Sequence, residues 1–111
     1  VAAQGISVLA VEPGAFRTDW QGASMDMSDV SADYEPSVGQ MHQRRREMAG
    51  NEPGDPVRAA QVILDVVAHP APPRRLLLGA AALDSALASG RSRIEEAEEW
   101  AEVSRSADFP A

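Results

Sequence analysis

One stretch of the sequence decides the fold: Gly5-Ile6-Ser7-Val8-Leu9-Ala10-Val11-Glu12-Pro13-Gly14-Ala15-Phe16-Arg17-Thr18. Residues 6–11 form an almost unbroken apolar run with three β-branched residues, which is typical of a strand buried on both faces of a parallel sheet. Pro13 and Gly14 end that strand, because proline donates no ladder hydrogen bond and glycine adopts backbone angles that other residues avoid. In open parallel sheets, ligands bind beyond the carboxyl ends of the strands, so the turn that follows is a candidate ligand site.

The rest of the chain supplies the other elements of an α/β unit. Asp55 and Pro56 are a favourable cap and first residue for a helix, and Arg75-Leu76-Leu77-Leu78-Gly79 predicts a second buried strand. This order of elements predicts a parallel pair of strands, because parallel strands need a crossover connection between them and that connection is usually helical. Gly90 favours a kink or break in the C-terminal helix. The predicted elements are a helix end at residues 1–4, a strand at 5–12, a turn and long polar segment at 13–54, a helix at 55–69, a strand at 74–79 and a helix at 80–105.

Length and composition exclude several classes of protein. The 111 residues allow one domain at most, and the net charge of −7 argues against a nucleic-acid-binding protein. No apolar run approaches the roughly 20 residues that a membrane span needs. The chain has no cysteine, which excludes disulfides and thiolate metal sites. His42 and His69 have no second ligand at metal-binding spacing, so no metal site is predicted.

A family resemblance arises from the hexapeptide Pro13-Gly14-Ala15-Phe16-Arg17-Thr18, which directly follows the hydrophobic strand. It resembles the Pro-Gly-x-x-x-Thr segment of the short-chain dehydrogenases/reductases, and the order of elements continues the resemblance to about Phe109. The resemblance implies an α/β fold. Residues 1–111 would then be the C-terminal portion of one NAD(P)-binding domain, with the last two strands of a Rossmann-type doubly wound parallel sheet, a lid and flanking helices.

The resemblance also implies a function. The expected activity is hydride transfer between NAD or NADP and a small-molecule carbonyl or alcohol substrate, in a cytoplasmic homo-oligomer that binds neither nucleic acid nor membrane. The family's catalytic Ser, Tyr and Lys are expected upstream, because the only tyrosine, Tyr34, is followed four residues later by Val38 and the chain has no lysine. No catalytic residue is therefore predicted in this chain, which should be inactive alone. The alternative is a truncated, non-catalytic α/β interaction module.

The cofactor-binding residues that the resemblance implies are Pro13, Gly14, Phe16 and Thr18. In the family, the threonine side chain and the backbone at the position of Phe16 hold the nicotinamide carboxamide, which fixes the ring face that presents its hydride. The segment Thr18-Asp19-Trp20-Gln21 also has the Thr-x-x-Gln form of a capping box that opens a helix. Both roles are compatible in one threonine.

The long polar segment at residues 19–54 is predicted to be a substrate lid, with a surface loop as the alternative. Trp20, Met25 and Met27 are candidate substrate-pocket residues, and ordinary packing within the lid is an equal alternative. A short helix is predicted over about residues 38–48, with Ser37 as its cap. The basic run at residues 44–46 is predicted to be a solvated helix face rather than an anion site.

Overall fold

The fold is built on two short parallel strands. The computed structural model describes residues 1–22 and 25–111. Strand β1, Ala10–Pro13, pairs in parallel with β2, Arg75–Leu78, so that Ala10 lies opposite Arg75 and Pro13 opposite Leu78. A long connection that contains helix α1, Gln40–Met48, and helix α2, Pro56–Val67, joins the two strands. The predicted α/β class with a parallel sheet is therefore confirmed.

Strand β1 is shorter at its start than the predicted range of 5–12. Its partner β2 follows Pro72 and Pro73, which have no N–H to donate to a ladder, so residues before Ala10 find no pairing partner in β2. Ile6 and Val8 are consequently 54% and 67% exposed. The expectation that this apolar run is buried on both faces is wrong for these two residues within the described chain.

A partly exposed ion pair joins the two strands of the sheet. The Arg75 guanidinium donates to both carboxylate oxygens of Glu12, and the shortest contact, Nη2 to Oε1, is 2.6 Å. This hydrogen bond, and then the charge of Glu12, raise the pKa of Arg75 above its ordinary value. Because Glu12 is opposite Leu77 and Arg75 is opposite Ala10, the pair joins diagonal neighbours and is specific to the observed register.

The helices of the crossover begin differently. Helix α2 starts as predicted, with the Asp55 Oδ1 accepting the N–H of Val57 at 2.9 Å and Pro56 as its first residue. Helix α1 does not use the predicted cap, because the Ser37 hydroxyl donates to the carbonyl of Tyr34. A single π-helical turn, Glu35–Gly39, leads into α1 instead, with the Glu35 carboxylate packed where a side chain at Gly39 would lie.

The C-terminal helix passes through Gly90 without interruption. Helix α3 covers Ala80–Glu99, the chain turns at Trp100, and α4 covers Ala101–Arg105. The prediction was a kink or break at Gly90, and the break does not occur, because Gly90 continues the helix without a positive φ. In the part of the chain that the structure describes, no helix combines the length and apolarity that crossing a membrane requires.

The described chain has almost no core of its own. Leu78, at 7% exposure, is the only buried hydrophobic residue among residues 1–22 and 25–111. The Cα radius of gyration is 20.1 Å, against about 13 Å for a compact domain of about 100 residues. Large side chains on the outer helices stay exposed, namely Val57, Leu64, Val67, Leu83, Leu87 and Ile94. These surfaces are the kind that further protein covers in a complete domain.

Candidate cofactor and substrate site

The turn after β1 is fixed first by the neighbouring strand. Gly14 continues the ladder by donating its N–H to the carbonyl of Leu78 at 2.8 Å. A Cβ at Gly14 would lie 3.4 Å from that oxygen and 3.6 Å from the side chain of Ala82. A methyl group at Gly14 would be in ordinary contact there, which shows that the turn lies directly against the junction of β2 and α3.

A second set of bonds fixes the turn to the segment before α2. The Gly54 N–H donates to the carbonyl of Ala15 at 3.0 Å, and the Arg17 N–H donates to the carbonyl of Gly54 at 2.9 Å. The aromatic ring of Phe16 packs directly on Gly54. A Cβ added at Gly54 would lie only 2.5 Å from Cδ1 of Phe16. The residues before and after Phe16 are thus both hydrogen-bonded to Gly54, which fixes the backbone of Phe16 between them.

Several hydrogen-bond donors of this turn have no partner in the described part of the chain, and two of them belong to the predicted cofactor-binding residues Phe16 and Thr18. The Phe16 N–H is one of them, while the Phe16 carbonyl accepts the N–H of Thr18 at 2.9 Å. The Thr18 Oγ accepts the N–H of Trp20 at 3.3 Å, so its hydroxyl proton is the second donor. The predicted capping role of Thr18 is confirmed, and it leaves that proton for a ligand.

An apolar cavity of about 700 Å³ opens beside the turn. Pro13, Gly14, Phe16 and Thr18, the predicted cofactor-binding residues, all line it, as does Trp20. The remaining wall is formed by the end of β1, by β2 and by the first turns of α2. The other lining residues are Val11, Ala15, Gln21, Pro56, Ala59, Ala60, Ile63 and Leu78.

Met25 and Met27, the other predicted pocket residues, do not line this cavity. Met27 borders a separate cavity of about 220 Å³ in the segment before α2, together with Glu35, His42 and Arg46. Met25 is half-buried and lines neither cavity, and residues 23 and 24 of the segment lie outside the described residues. Across the described ranges, no three His, Asp or Glu side chains come together as metal ligands.

Known proteins are similar to this chain over nearly its whole length. No family model matches the chain. It is 36% identical over 104 residues to Oxidoreductase BOA17 of Botryotinia fuckeliana (strain B05.10), a match that covers 94% of this chain and 38% of that protein. The structure also matches the crystal structure of a short-chain dehydrogenase from Streptomyces avermitilis. That match has a TM-score of 0.79 and 38% sequence identity, over 96% of this chain and 38% of the other.

The chain matches the C-terminal part of a short-chain dehydrogenase. It spans 38% of the length of each of these two relatives. Strands β1 and β2 with their crossover correspond to a fragment of the Rossmann-type sheet of a short-chain dehydrogenase. The resemblance inferred from the Pro-Gly-x-x-x-Thr hexapeptide is therefore confirmed.

Three further residues near this turn, Glu52, Gln21 and Arg17, make contacts that were not predicted from the sequence. The side chain of Glu52 is fully buried, and its Oε1 accepts the amide Nε2 of Gln21 at 3.3 Å. The backbone carbonyl of Glu52 accepts the Arg17 guanidinium through Nε at 3.3 Å and Nη2 at 3.0 Å. The N–H of Thr18 donates to the carbonyl of Phe16 rather than to Gln21, so only the threonine half of the predicted capping box forms. No spacing in the sequence indicates these contacts, which join residues more than 30 positions apart.

Helix α1 touches the cavity wall through a cation–π contact. The Arg45 guanidinium lies 5.8 Å from the ring centroid of Trp20, at the distance where such contacts are attractive. Arg45 is half-buried, whereas Arg44 and Arg46 are exposed. The expectation that the whole basic run is solvated is therefore wrong for Arg45. Its guanidinium contacts the aromatic ring of Trp20 instead of being fully exposed to water.

Proposed function

We propose that the complete protein, meaning this chain with the further residues that its relatives have, is an NAD(P)-dependent oxidoreductase. It transfers a hydride between nicotinamide and a small-molecule carbonyl or alcohol substrate. The observation that carries the proposal is that two donors, the Phe16 N–H and the Thr18 hydroxyl, have no partner among the described residues and lie at the carboxyl end of a parallel strand beside an apolar cavity. The printed names of the relatives, an oxidoreductase and a short-chain dehydrogenase, support the same class.

The hydrogen-bonding groups of the turn fit a carboxamide. A carboxamide offers one carbonyl acceptor and one NH₂ donor. Phe16 N–H and the Thr18 hydroxyl donate to the acceptor, and the Phe16 carbonyl, which already accepts Thr18 N–H, retains a second lone pair for the donor. Pro13 and Gly14 bring this backbone to the cavity wall. When bound, the nicotinamide would supply or accept the hydride.

The chain's own residues then orient the reactants and exclude water. Two anchors, on Leu78 and on Gly54, hold the turn in place, so Phe16 and Thr18 would hold a bound carboxamide in one orientation. Apolar side chains of β1 and α2 remove water from the space beside that turn. The catalytic proton-transfer residues are proposed to come from outside these 111 residues, so the chain alone has no activity.

Residues 19–54 are proposed to form the substrate lid. The 3₁₀ turn Asp19–Gln21 leaves directly from Thr18, and helix α1 returns to Trp20 through Arg45. Trp20 would line the substrate pocket, and Met25 and Met27 would approach it only in a closed form. The cofactor proposed is NAD or NADP, and a homo-oligomer is proposed for the complete protein. A free-standing interaction module is disfavoured, because a module of this kind needs a core beyond Leu78.

The test uses Thr18→Ala in the complete protein, with Thr18→Ser as the matched control that retains the hydroxyl. Loss of one hydrogen bond costs roughly 0.5–1.5 kcal/mol, so affinity for the reduced cofactor should fall about two- to tenfold in the alanine variant. Affinity for ADP-ribose, which lacks nicotinamide, should not change. Equal cofactor affinity in all three proteins, or an equal loss for ADP-ribose, would contradict the nicotinamide assignment.

A further inference from the structure

The burial of Glu52 is energetically unfavourable, because a carboxylate loses its hydration when it is buried. Its side chain has no exposed surface, and its Oε2 has no hydrogen-bond partner in the described part of the chain. A buried carboxylate that is only half satisfied costs stability, and an apolar side chain of similar size is often neutral or stabilising at such a position. The retention of a carboxylate there calls for a role other than packing.

Within the described chain, the side chain of Glu52 makes one hydrogen bond, and its partner, Gln21, lies in the cavity wall. Gln21 uses one of its two amide N–H groups on Glu52, and its second N–H and its carbonyl oxygen remain available. Apart from the indole of Trp20, the polar side chains of the described wall are Thr18 and Gln21. If Thr18 serves the nicotinamide, Gln21 is the amide left to contact a substrate.

The backbone of Glu52 is tied to the cofactor turn as well. Both bonds from the Arg17 guanidinium end on its carbonyl, and Arg17 is the residue between Phe16 and Thr18. Arg17 also donates its backbone N–H to Gly54, two residues after Glu52. The turn, Glu52 and Gln21 therefore form one connected unit, in which the amide of Gln21 has a fixed position relative to Thr18.

We infer that Glu52 is a positioning residue, which fixes the Gln21 amide to hydrogen bond a polar group on an otherwise apolar carbonyl or alcohol substrate. This inference rests on the proposed function, because it places that substrate beside the nicotinamide. Hydrocarbon or aromatic substrates fit the apolar walls formed by β1 and α2, and the polar group meets Gln21.

The first arm of the test measures structure rather than activity. In the complete protein, the Gln21 side-chain amide is observed by NMR with labelled glutamine, in the wild type and in Glu52→Met. Loss of the bond should collapse the difference between the two Gln21 N–H signals and speed their exchange, with a melting temperature equal to or above that of the wild type. The matched control is Glu47→Met, which breaks the exposed Gln43–Glu47 bond of 2.9 Å. Unchanged Gln21 signals, or a strongly lowered melting temperature, in Glu52→Met would overturn the inference.

The second arm is a double-mutant cycle on turnover of an apolar carbonyl substrate. Gln21→Leu and Glu52→Met should each lower kcat/KM about three- to tenfold, the effect of one neutral hydrogen bond, without changing cofactor affinity. The double variant should be no worse than either single one, and Glu52→Gln should recover most of the loss because it retains an oxygen acceptor. Multiplying losses in the double variant would show that Glu52 acts independently of Gln21 and would overturn the inference.

The two proposals fail in different ways. Absence of NAD(P)-dependent turnover in the wild-type protein would overturn the proposed function and, with it, the substrate contact of Gln21. The NMR arm would still decide whether Glu52 positions Gln21. Normal turnover that does not respond to Gln21→Leu would overturn the inference alone.

Discussion

Replacing Gly54 by alanine should damage the turn at residues 13–18 more than adding a methyl group at Gly14, the glycine within that turn. The new Cβ would lie 2.5 Å from Phe16 Cδ1 and 2.6 Å from the carbonyl oxygen of Ala15. Real Cβ atoms do not approach other atoms this closely, so one side has to move. The Phe16 ring can rotate, but the Ala15 oxygen belongs to the backbone and accepts the Gly54 N–H.

The magnitude follows from those two contacts. Forcing an extra methyl group into a packed site costs about 1–3 kcal/mol. If the backbone moves, the bonds from Gly54 to Ala15 and from Arg17 to Gly54 weaken, at about 1 kcal/mol each. We therefore expect Gly54→Ala to destabilise the complete protein by about 2–4 kcal/mol. Because Phe16 N–H moves with the turn, cofactor affinity should fall too.

The assay is urea unfolding of the complete protein, combined with titration of the reduced cofactor. Gly90→Ala is the matched control, since no atom lies within 4 Å of its new Cβ and alanine favours a helix interior by about 1 kcal/mol. It should stabilise the protein slightly and leave cofactor affinity unchanged. Wild-type stability and cofactor affinity in Gly54→Ala would refute the reasoning, because the turn would then not be held against Gly54.

Two further predictions follow from the same structure. The isolated 111-residue chain should be poorly folded or aggregate, since Leu78 is the only buried hydrophobic residue in its described part, and a sharp, reversible thermal transition of a monomer would contradict this. In the complete protein without ligands, amide hydrogens of residues 25–48 should exchange faster than those of Val8–Val11 and slow down when cofactor and substrate bind. Equal protection of the two segments in the apo protein would favour a permanently packed insertion over a lid.

The parts of the fold that the sequence predicted well depend on local signals. Asp55 and Pro56 give the start of α2, because a cap acts on an amide only two residues away. The leucines before Gly79 give β2, because a short apolar run after prolines has few alternatives to a strand. The placement of Pro13, Gly14, Phe16 and Thr18 on one cavity follows from the rule that a turn after a parallel strand faces the ligand edge.

The parts that the sequence did not predict depend on contacts between distant residues. The start of β1 at Ala10 is set by how far β2 extends, which the residues before Ala10 do not encode. The pairing of Gln21 with Glu52 spans 31 positions and has no periodicity or spacing to indicate it. Gly90 has a weak intrinsic preference against helix, of about 1 kcal/mol, which the surrounding helix overcomes.

The most direct test of the proposed nicotinamide site is a crystal structure of the complete protein with reduced cofactor bound. The account predicts the nicotinamide carboxamide within hydrogen-bond distance, about 2.7–3.2 Å, of both the Phe16 backbone nitrogen and the Thr18 hydroxyl. The ring should then lie along the apolar cavity, with Gln21 beside it. A carboxamide held by other residues, with Phe16 and Thr18 left out of contact, would contradict the account.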